Sequence, residues 1–157
     1  LDLGEPVPTR FVITGWGPAE KELKNLSHAW GLENKVVFTG KVSQNETQKY
    51  YHLADCFASA SITETQGLTF MEAMAASVLT LARYDDNLVG TIQDGKTGFF
   101  FFDEHDFSDK LNHVITLDEA SKERVRKNAL AAVDIYSLEH FYENIMEVYT
   151  RVCRQNW

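Results

Sequence analysis

The segment TETQGLTFMEAMAAS, residues 63–77, joins a polar loop to an apolar helical run that holds one charge, Glu72. No other charged residue occurs between Gln66 and Ala82. Because a buried carboxylate without a partner is costly, we expect Glu72 to have a partner or a ligand. Glu72 lies one turn after Leu68, which predicts a position near the helix start, on the side that faces the core.

The glycine in this segment indicates a possible anion site. Gly67 opens the helix after a predicted strand, and the first N–H groups of a helix lack partners within it and favour negative charge. Since Gly67 has no side chain, a phosphate could approach the amides of Gly67, Leu68 and Thr69. A glycine-opened helix that binds nothing explains this pattern equally well.

The two glutamates make the pattern more specific. Glu64 lies in the loop and Glu72 in the helix, eight residues further on. One carboxylate can accept two hydrogen bonds from a vicinal diol. A nucleotide-sugar has a diol on its ribose and another on its hexose, with a diphosphate between them, and so matches this layout. Without a ligand, Glu72 would interact with the helix dipole or pair with a distant arginine, and Glu64 would be an exposed cap.

Apolar runs alternate with helical patterns along the rest of the chain. We predict strands at 11–14, 36–40, 55–61, 78–83 and 98–103, and helices at 19–31, 43–54, from 67, 88–93, 107–117, 119–133 and 138–155. Uniformly apolar strands that alternate with helices are typical of a parallel sheet covered on both faces. The predicted fold class is α/β, a Rossmann-like parallel sheet flanked by helices, in one domain over residues 1–157. Ligands bind such sheets beyond the carboxyl ends of the strands.

In the first predicted helix, Leu23, Leu26 and Trp30 recur at helical spacing. In the second predicted helix, we expect Tyr50, Tyr51 and Leu53 to be anchors.

Composition narrows the classes of partner. The net charge of −8 argues against nucleic acid and against docking on an anionic membrane by charge alone. No apolar stretch is long enough to span a bilayer, and no secretory signal is present.

Cys56, in an apolar run, is expected to be a buried reduced thiol, which suits the cytoplasm. The chain starts without Met, so we expect a piece of a longer protein.

Several motifs resemble those of a known family. ITETQGLTFMEAMAAS is similar to the E-x7-E signature of the retaining GT-B glycosyltransferases, a family that includes relatives of glycogen and sucrose synthases and bacterial lipid glycosyltransferases. Further matches follow the family's order, namely VITGWGP (12–18), VVFTGKV (36–42), YYHLADCFASAS (50–61) and DGKTGFFF (94–101). QGLTFMEA and ARYDDNL most resemble the diacylglycerol glucosyltransferases of low-GC Gram-positive bacteria. The resemblance covers about residues 10 to 150 and implies the C-terminal, donor-binding half of a GT-B fold.

The resemblance implies roles for residues around the central helix. Glu64 would hold the hydroxyls of the donor sugar near the reacting carbon, as the catalytic residue. Gln66, Gly67 and Leu68 would offer backbone donors to sugar and diphosphate. Glu72 would bind the ribose hydroxyls.

The resemblance implies further contacts and a reaction. Gly15 and Gly17 would line the cleft, while Lys41 and Val42 would face the nucleobase, uracil. Glucose would pass from UDP-glucose to a lipid or glycan hydroxyl with retention, without a cofactor or a tightly held metal. The sequence Asp85–Asp86–Asn87 lacks the Asp-x-Asp spacing of metal-dependent transferases, so we expect a turn or cleft edge there, with Asp86 or Asn87 near the sugar as the alternative.

Two departures from the family matter. Relatives carry Gly-Arg and a later Lys upstream of VITGWGP, and these cations stabilise the leaving diphosphate. LDLGEPVPTR contains no such pattern, and Arg10 lies too close to the strand. The resemblance also implies an N-terminal domain, which binds the acceptor and usually the membrane, and we expect that domain to lie outside this piece. We therefore expect this piece to bind nucleotide-sugar weakly and not to catalyse transfer alone. A parent protein could lie on the inner face of the membrane through that other domain.

The absent strand would be central in the family's order, 3-2-1-4-5-6, so its absence would expose strand edges or require a neighbour. Two other functions remain open. One is a non-catalytic Rossmann-like module for interaction or regulation. The other is a phosphorylase of the same fold, for which no suitable pyridoxal-bearing lysine lies near the loop.

Overall fold

The computed structural model describes residues 8–61 and 67–155. The chain forms two compact units, Leu1–Thr47 and Gln48–Trp157, called here the first and the second unit. In the first unit, β1 (Phe11–Thr14) pairs in parallel with β2 (Val36–Gly40), and α1 (Glu20–Ala29) connects them. Helix α2 (Gln44–Leu53) begins in the first unit and ends in the second.

The second unit contains a three-stranded parallel sheet in the order β3-β4-β5. Its elements are β3 (Cys56–Ser59), α3 (Leu68–Ala75), β4 (Leu79–Arg83), β5 (Phe99–Phe101), α4 (Glu104–Thr116), α5 (Glu119–Val133) and α6 (Leu138–Gln155). Short 3₁₀ turns cover Asp86–Leu88 and Asp134–Tyr136.

The core of the second unit lies on both faces of this sheet. On one face Ala82 and Phe100 pack with Phe70 and Met74 of α3 and with the end of α5. On the other face, Leu81, Phe99 and Phe101 pack with α4 through Val114 and with α5 through Val125. Adjacent strand residues point to opposite faces, so an apolar strand covered on both sides buries every side chain. The α/β class with a parallel sheet flanked by helices is therefore confirmed.

The turn before β5 is held by its own side chains. One oxygen of Asp94 accepts the N–H of Phe100 at 2.9 Å. The hydroxyl of Thr97 accepts the N–H of Gln93 at 2.8 Å and donates to the carbonyl of Thr91 at 3.2 Å. The DGKTG segment thus satisfies buried backbone groups, which is a structural role.

Two helices end with the same backbone motif built on different residues. After α1, Gly31 has φ +65°, and the N–H of Leu32 donates to the carbonyl of Ser27 at 2.9 Å. After α3, Ser77 has φ +60°, and the N–H of Val78 donates to the carbonyl of Ala73 at 2.9 Å. This arrangement closes a helix with one residue in the left-handed region, where glycine is favoured.

Several expectations about burial and boundaries were wrong. Among the expected anchors of α2, Tyr51 is buried and Tyr50 is half-buried, but Leu53 is exposed. Leu23, Leu26 and Trp30 of α1 and its C-cap are exposed as well. The short helix expected at 88–93 is instead the 3₁₀ turn Asp86–Leu88. Helix α4 begins three residues before its predicted start, since the Asp103 carboxylate caps it by accepting the N–H groups of His105 and Asp106.

Candidate functional site

The start of α3 has a backbone that only glycine adopts easily. Gly67 has φ +63°, and a Cβ added there would lie 2.5 Å from Cδ2 of Leu88. Its carbonyl accepts the N–H groups of Phe70 and Met71, each at 3.0 Å. The helix therefore begins directly after Gly67, as predicted, and its first turn follows β3 at the carboxyl end of that strand. This is the edge of a parallel sheet where ligands are usually bound.

The 3₁₀ turn at Asp86–Leu88 packs against this helix start through Leu88, which is fully buried. Asp85 caps the turn, since its side chain accepts the N–H of Asn87 at 2.9 Å. The turn role expected for Asp85–Asn87 is thus confirmed.

Glu72 does not face the core, which corrects the expectation from the sequence. Its side chain is exposed, and so is that of Leu68, which is 60% exposed on the same helix face. Helix α3 buries Phe70, Ala73 and Met74, and positions 68 and 72 lie on the opposite side. Because the carboxylate is exposed to water, the cost of burying a charge gives no reason to expect a ligand at Glu72.

Glu72 has one hydrogen-bond partner in the described residues, the buried Tyr51. The Tyr51 hydroxyl lies 3.1 Å from Oε2 of Glu72 and 3.2 Å from the carbonyl oxygen of Thr69. Burial raises the pKa of Tyr51 well above its ordinary value, and the negative charge of Glu72 adds to the rise. The hydroxyl therefore stays protonated and donates. No ion pair to Glu72 occurs within residues 8–61 and 67–155, so the distant arginine considered above is not observed there.

Sequence reasoning treated Tyr51 as a helix anchor and missed its contact with Glu72. The YYHLAD motif places two tyrosines before β3, and nothing in the sequence distinguishes the one that turns inward.

The predicted site residues of the first unit lie together. The N–H of Gly15, after β1, donates to the carbonyl of Gly40, at the end of β2, at 3.0 Å. The turn containing Gly15 and Gly17 therefore adjoins the segment that continues to Lys41 and Val42. Lys41 is exposed and Val42 is half-buried. Both segments lie at the carboxyl ends of their parallel strands.

The remaining predicted residues, Glu64 and Gln66, lie outside the described residues. Their roles stay predictions, as do the roles of Gly67, Leu68 and Glu72 in the second unit and of the four residues in the first.

Three further features of the described ranges concern metal ligands, helix length and the cysteines. No cluster of three His, Cys, Asp or Glu side chains is arranged there to hold a metal. Across residues 8–61 and 67–155, every helix is too short or too polar to cross a membrane. Cys56 and Cys153 are free thiols, and burial raises the pKa of Cys56 to about 12.

Two relatives are similar over most of this chain. The α-monoglucosyldiacylglycerol synthase of Acholeplasma laidlawii is 34% identical over 148 residues, which are 94% of this chain and 37% of that protein. The synthase of the same name from Streptococcus pneumoniae is 31% identical over 147 residues, 94% of this chain and 33% of that protein. The chain thus spans about a third of the length of these curated relatives.

Solved structures confirm the fold. HepE of Anabaena, crystallised with UDP-glucose, matches with a TM-score of 0.79 at 21% identity, over 93% of this chain and 42% of that one. The sucrose-phosphate synthase of Thermosynechococcus elongatus matches with a TM-score of 0.77 at 20% identity, over 92% of this chain and 38% of that one. These neighbours confirm the predicted part of a GT-B fold. The model of the family described as glycosyl transferases group 1 matches residues 5–131, and the chain therefore belongs to that family.

Proposed function

We propose that this chain is the donor-binding domain of an enzyme that transfers glucose from UDP-glucose to a lipid or glycan hydroxyl with retention of configuration. One observation carries the proposal. Glu72 presents an exposed carboxylate on α3, within one turn and a half of the glycine that opens the helix. A nucleotide diphosphate at the helix start would place its ribose within reach of that carboxylate.

The helix start supplies the diphosphate site. Helix N-termini attract phosphate through their N–H groups and the helix dipole. Gly67 itself is buried, and the Cβ that it lacks would point at Leu88, so the glycine permits the left-handed backbone at which the helix starts. The amides of Gly67 and Leu68 would then contact the diphosphate, with Gln66 beside them.

Glu72 and Glu64 would bind the two diols. A carboxylate is an acceptor with two oxygens, which suits the adjacent hydroxyls of a ribose at Glu72 and of a hexose at Glu64. The role of Glu64 rests on its sequence position, eight residues before Glu72. In the first unit, Lys41 and Val42 would contact the uracil, and the turn with Gly15 and Gly17 would line the cleft.

Relatives support the choice of sugar and acceptor class. Two carry the name α-monoglucosyldiacylglycerol synthase, and a structural neighbour was crystallised with UDP-glucose. Because these relatives are longer than the chain, we propose that acceptor binding and the cations that stabilise the leaving diphosphate come from other parts of the whole protein. Membrane contact would come from there as well.

The donor site is tested by nucleotide binding to the whole protein. We expect UDP and UDP-glucose to raise the melting temperature, and Glu72→Gln to weaken UDP binding by about tenfold or more, since hydrogen bonds to a charged group contribute about 1.5–3 kcal/mol. Glu123→Gln is the matched control, because Glu123 is an exposed helical glutamate that pairs only with Lys127 in the described residues. Loss of binding in both variants, or in neither, would contradict the proposal.

Transfer is tested with the same whole protein, UDP-[¹⁴C]glucose and diacylglycerol. We expect an α-linked product, unchanged by a chelator of divalent metals, and loss of product in Glu64→Gln. The non-catalytic Rossmann-like module would be favoured if the whole protein is inactive and substitution of Glu64 or Glu72 leaves its affinity for UDP unchanged.

A further inference from the structure

The hydroxyl of Tyr51 connects two helices at the point where Glu72 emerges. Tyr51 lies in the last turn of α2, before β3, and Glu72 lies in α3, after β3. The hydroxyl has a single proton and lies near two acceptors, Oε2 of Glu72 at 3.1 Å and the Thr69 carbonyl at 3.2 Å. Both distances exceed the usual O–H···O separation, as expected for a proton shared between two acceptors.

Packing fixes the position of this donor. Tyr51 is only 7% exposed, and its ring meets the edge of Phe57 with centroids 5.5 Å apart. Phe57 in turn meets Phe70 of α3 at 5.3 Å. Tyr51 also packs in a buried cluster with Ala73 and Val78. The phenol therefore holds its hydroxyl at one place beside α3.

Glu72 needs such a fixed partner because its own side chain is exposed and has three rotatable bonds. Ordering a glutamate when a ligand binds costs conformational entropy, and a partner that orders it beforehand reduces this cost. The neutral phenol uses one acceptor position of the carboxylate and leaves the charge in place. Oε1 has no hydrogen-bond partner within residues 8–61 and 67–155. A bidentate arginine would occupy both oxygens.

We propose that Tyr51 is a positioning residue, which holds the Glu72 carboxylate in the orientation that accepts the ribose hydroxyls of a nucleoside diphosphate. This inference rests on the proposed function. It adds a residue that touches no ligand and acts through Glu72.

The test is calorimetric titration of the whole protein with UDP and with 2′,3′-dideoxyuridine diphosphate, which lacks the ribose hydroxyls. Wild type is expected to prefer UDP, and Glu72→Gln is expected to lose most of that preference. Tyr51→Phe keeps the ring and removes the hydroxyl. We expect it to weaken UDP binding by about two- to tenfold and to change binding of the analogue by less than about twofold.

If the role of Tyr51 is purely structural, Tyr51→Phe would lower the affinity for UDP and for the dideoxy analogue by the same factor. That result, or unchanged UDP binding in Tyr51→Phe, overturns the role of Tyr51 while leaving the proposed function intact. Wild type that binds neither nucleotide overturns the proposed function itself. Wild type that binds both equally overturns the ribose role of Glu72, and the inference with it.

Two further measurements separate positioning from damage to the fold. In the Glu72→Gln background, Tyr51→Phe should cause no additional loss of UDP affinity, because the group it positions is gone; an additional loss of the full size contradicts the inference. Tyr84→Phe is the matched control, since it removes another phenol hydroxyl bonded to a carboxylate, that of Asp86 at 3.0 Å. It should leave the preference for UDP unchanged, and an equal loss of preference in this control also contradicts the inference.

Discussion

The strands of the two units have similar apolar sequences and different surroundings. In the first unit β1 is FVIT, and its Phe11 and Val12 are 54% and 45% exposed. In the second unit β4 is LTLAR, and all its residues except Arg83 are buried. Apolar composition thus predicts that a segment is a strand, whereas burial depends on which layers cover it. Helices α3, α4 and α5 cover the sheet of the second unit, and we expect most of the stability to reside there.

The largest effect should come from truncating matched phenylalanines in the two units. Phe70→Ala removes a fully buried ring from the main core, and we expect a loss of about 3–5 kcal/mol in the free energy of unfolding. Phe11→Ala removes a half-exposed ring and should cost less than about 1 kcal/mol. Urea denaturation of the chain, with hydrogen exchange to assign each unit, measures both. Equal losses of unfolding free energy in the two variants would contradict the difference in burial between the two units.

Two glycines with similar backbone angles offer a second contrast. Gly67→Ala forces a left-handed φ and brings a Cβ against Leu88, so we expect a loss of about 2–3 kcal/mol. Gly31→Ala, in the first unit, has the same kind of φ and open space around the new methyl, and should lose only about 1 kcal/mol. Thermal and urea unfolding give the two values. A cost at Gly31 as large as that at Gly67 would mean that packing against Leu88 adds nothing.

Two buried threonines of the second unit should respond with opposite signs. The hydroxyl of Thr80 on β4 has no hydrogen-bond partner in the part of the chain described, whereas that of Thr97 has two. Thr80→Val should therefore stabilise the chain by about 1 kcal/mol, and Thr97→Val should destabilise it by about 1–2 kcal/mol. Chemical denaturation of each variant gives the sign of its change in the free energy of unfolding. Destabilisation by Thr80→Val would show that its hydroxyl is satisfied in solution.

The smallest effect concerns the shared helix-end motif. Ser77→Gly relieves a non-glycine residue at φ +60° and should stabilise the second unit by up to about 1 kcal/mol. Gly31→Ser makes the reverse change after α1 and should destabilise by a similar amount. Differential scanning calorimetry of both variants is the measurement. Changes of the same sign in both would contradict the equivalence of the two helix ends.

The sequence predicted the elements well because strand and helix periods are local signals. Every predicted strand corresponds to one in the structure, and Gly67 opens α3 as expected. The short helix predicted at 88–93 was wrong, because the structure has the 3₁₀ turn Asp86–Leu88 instead, and its cap, the Asp85 side chain, lies outside the apolar pattern.

The orientation of Glu72 was not predictable in the same way. Helix α3 is apolar on nearly all sides, so no polar stripe marks the face toward water. The spacing from Leu68 predicts a core-facing Glu72, but both side chains are exposed. The contact from Tyr51 joins residues 21 positions apart, and only the packing of α2 and α3 beside β3 brings them together.

The close approach of Leu88 to Gly67 means that a change in one of these segments is felt in the other. A smaller side chain at 88 would remove the clash of a Cβ at 67 but not the strain of its left-handed φ, so it should recover only part of the stability that Gly67→Ala loses. The segment that carries Leu88 therefore acts as a support for the first turn of α3.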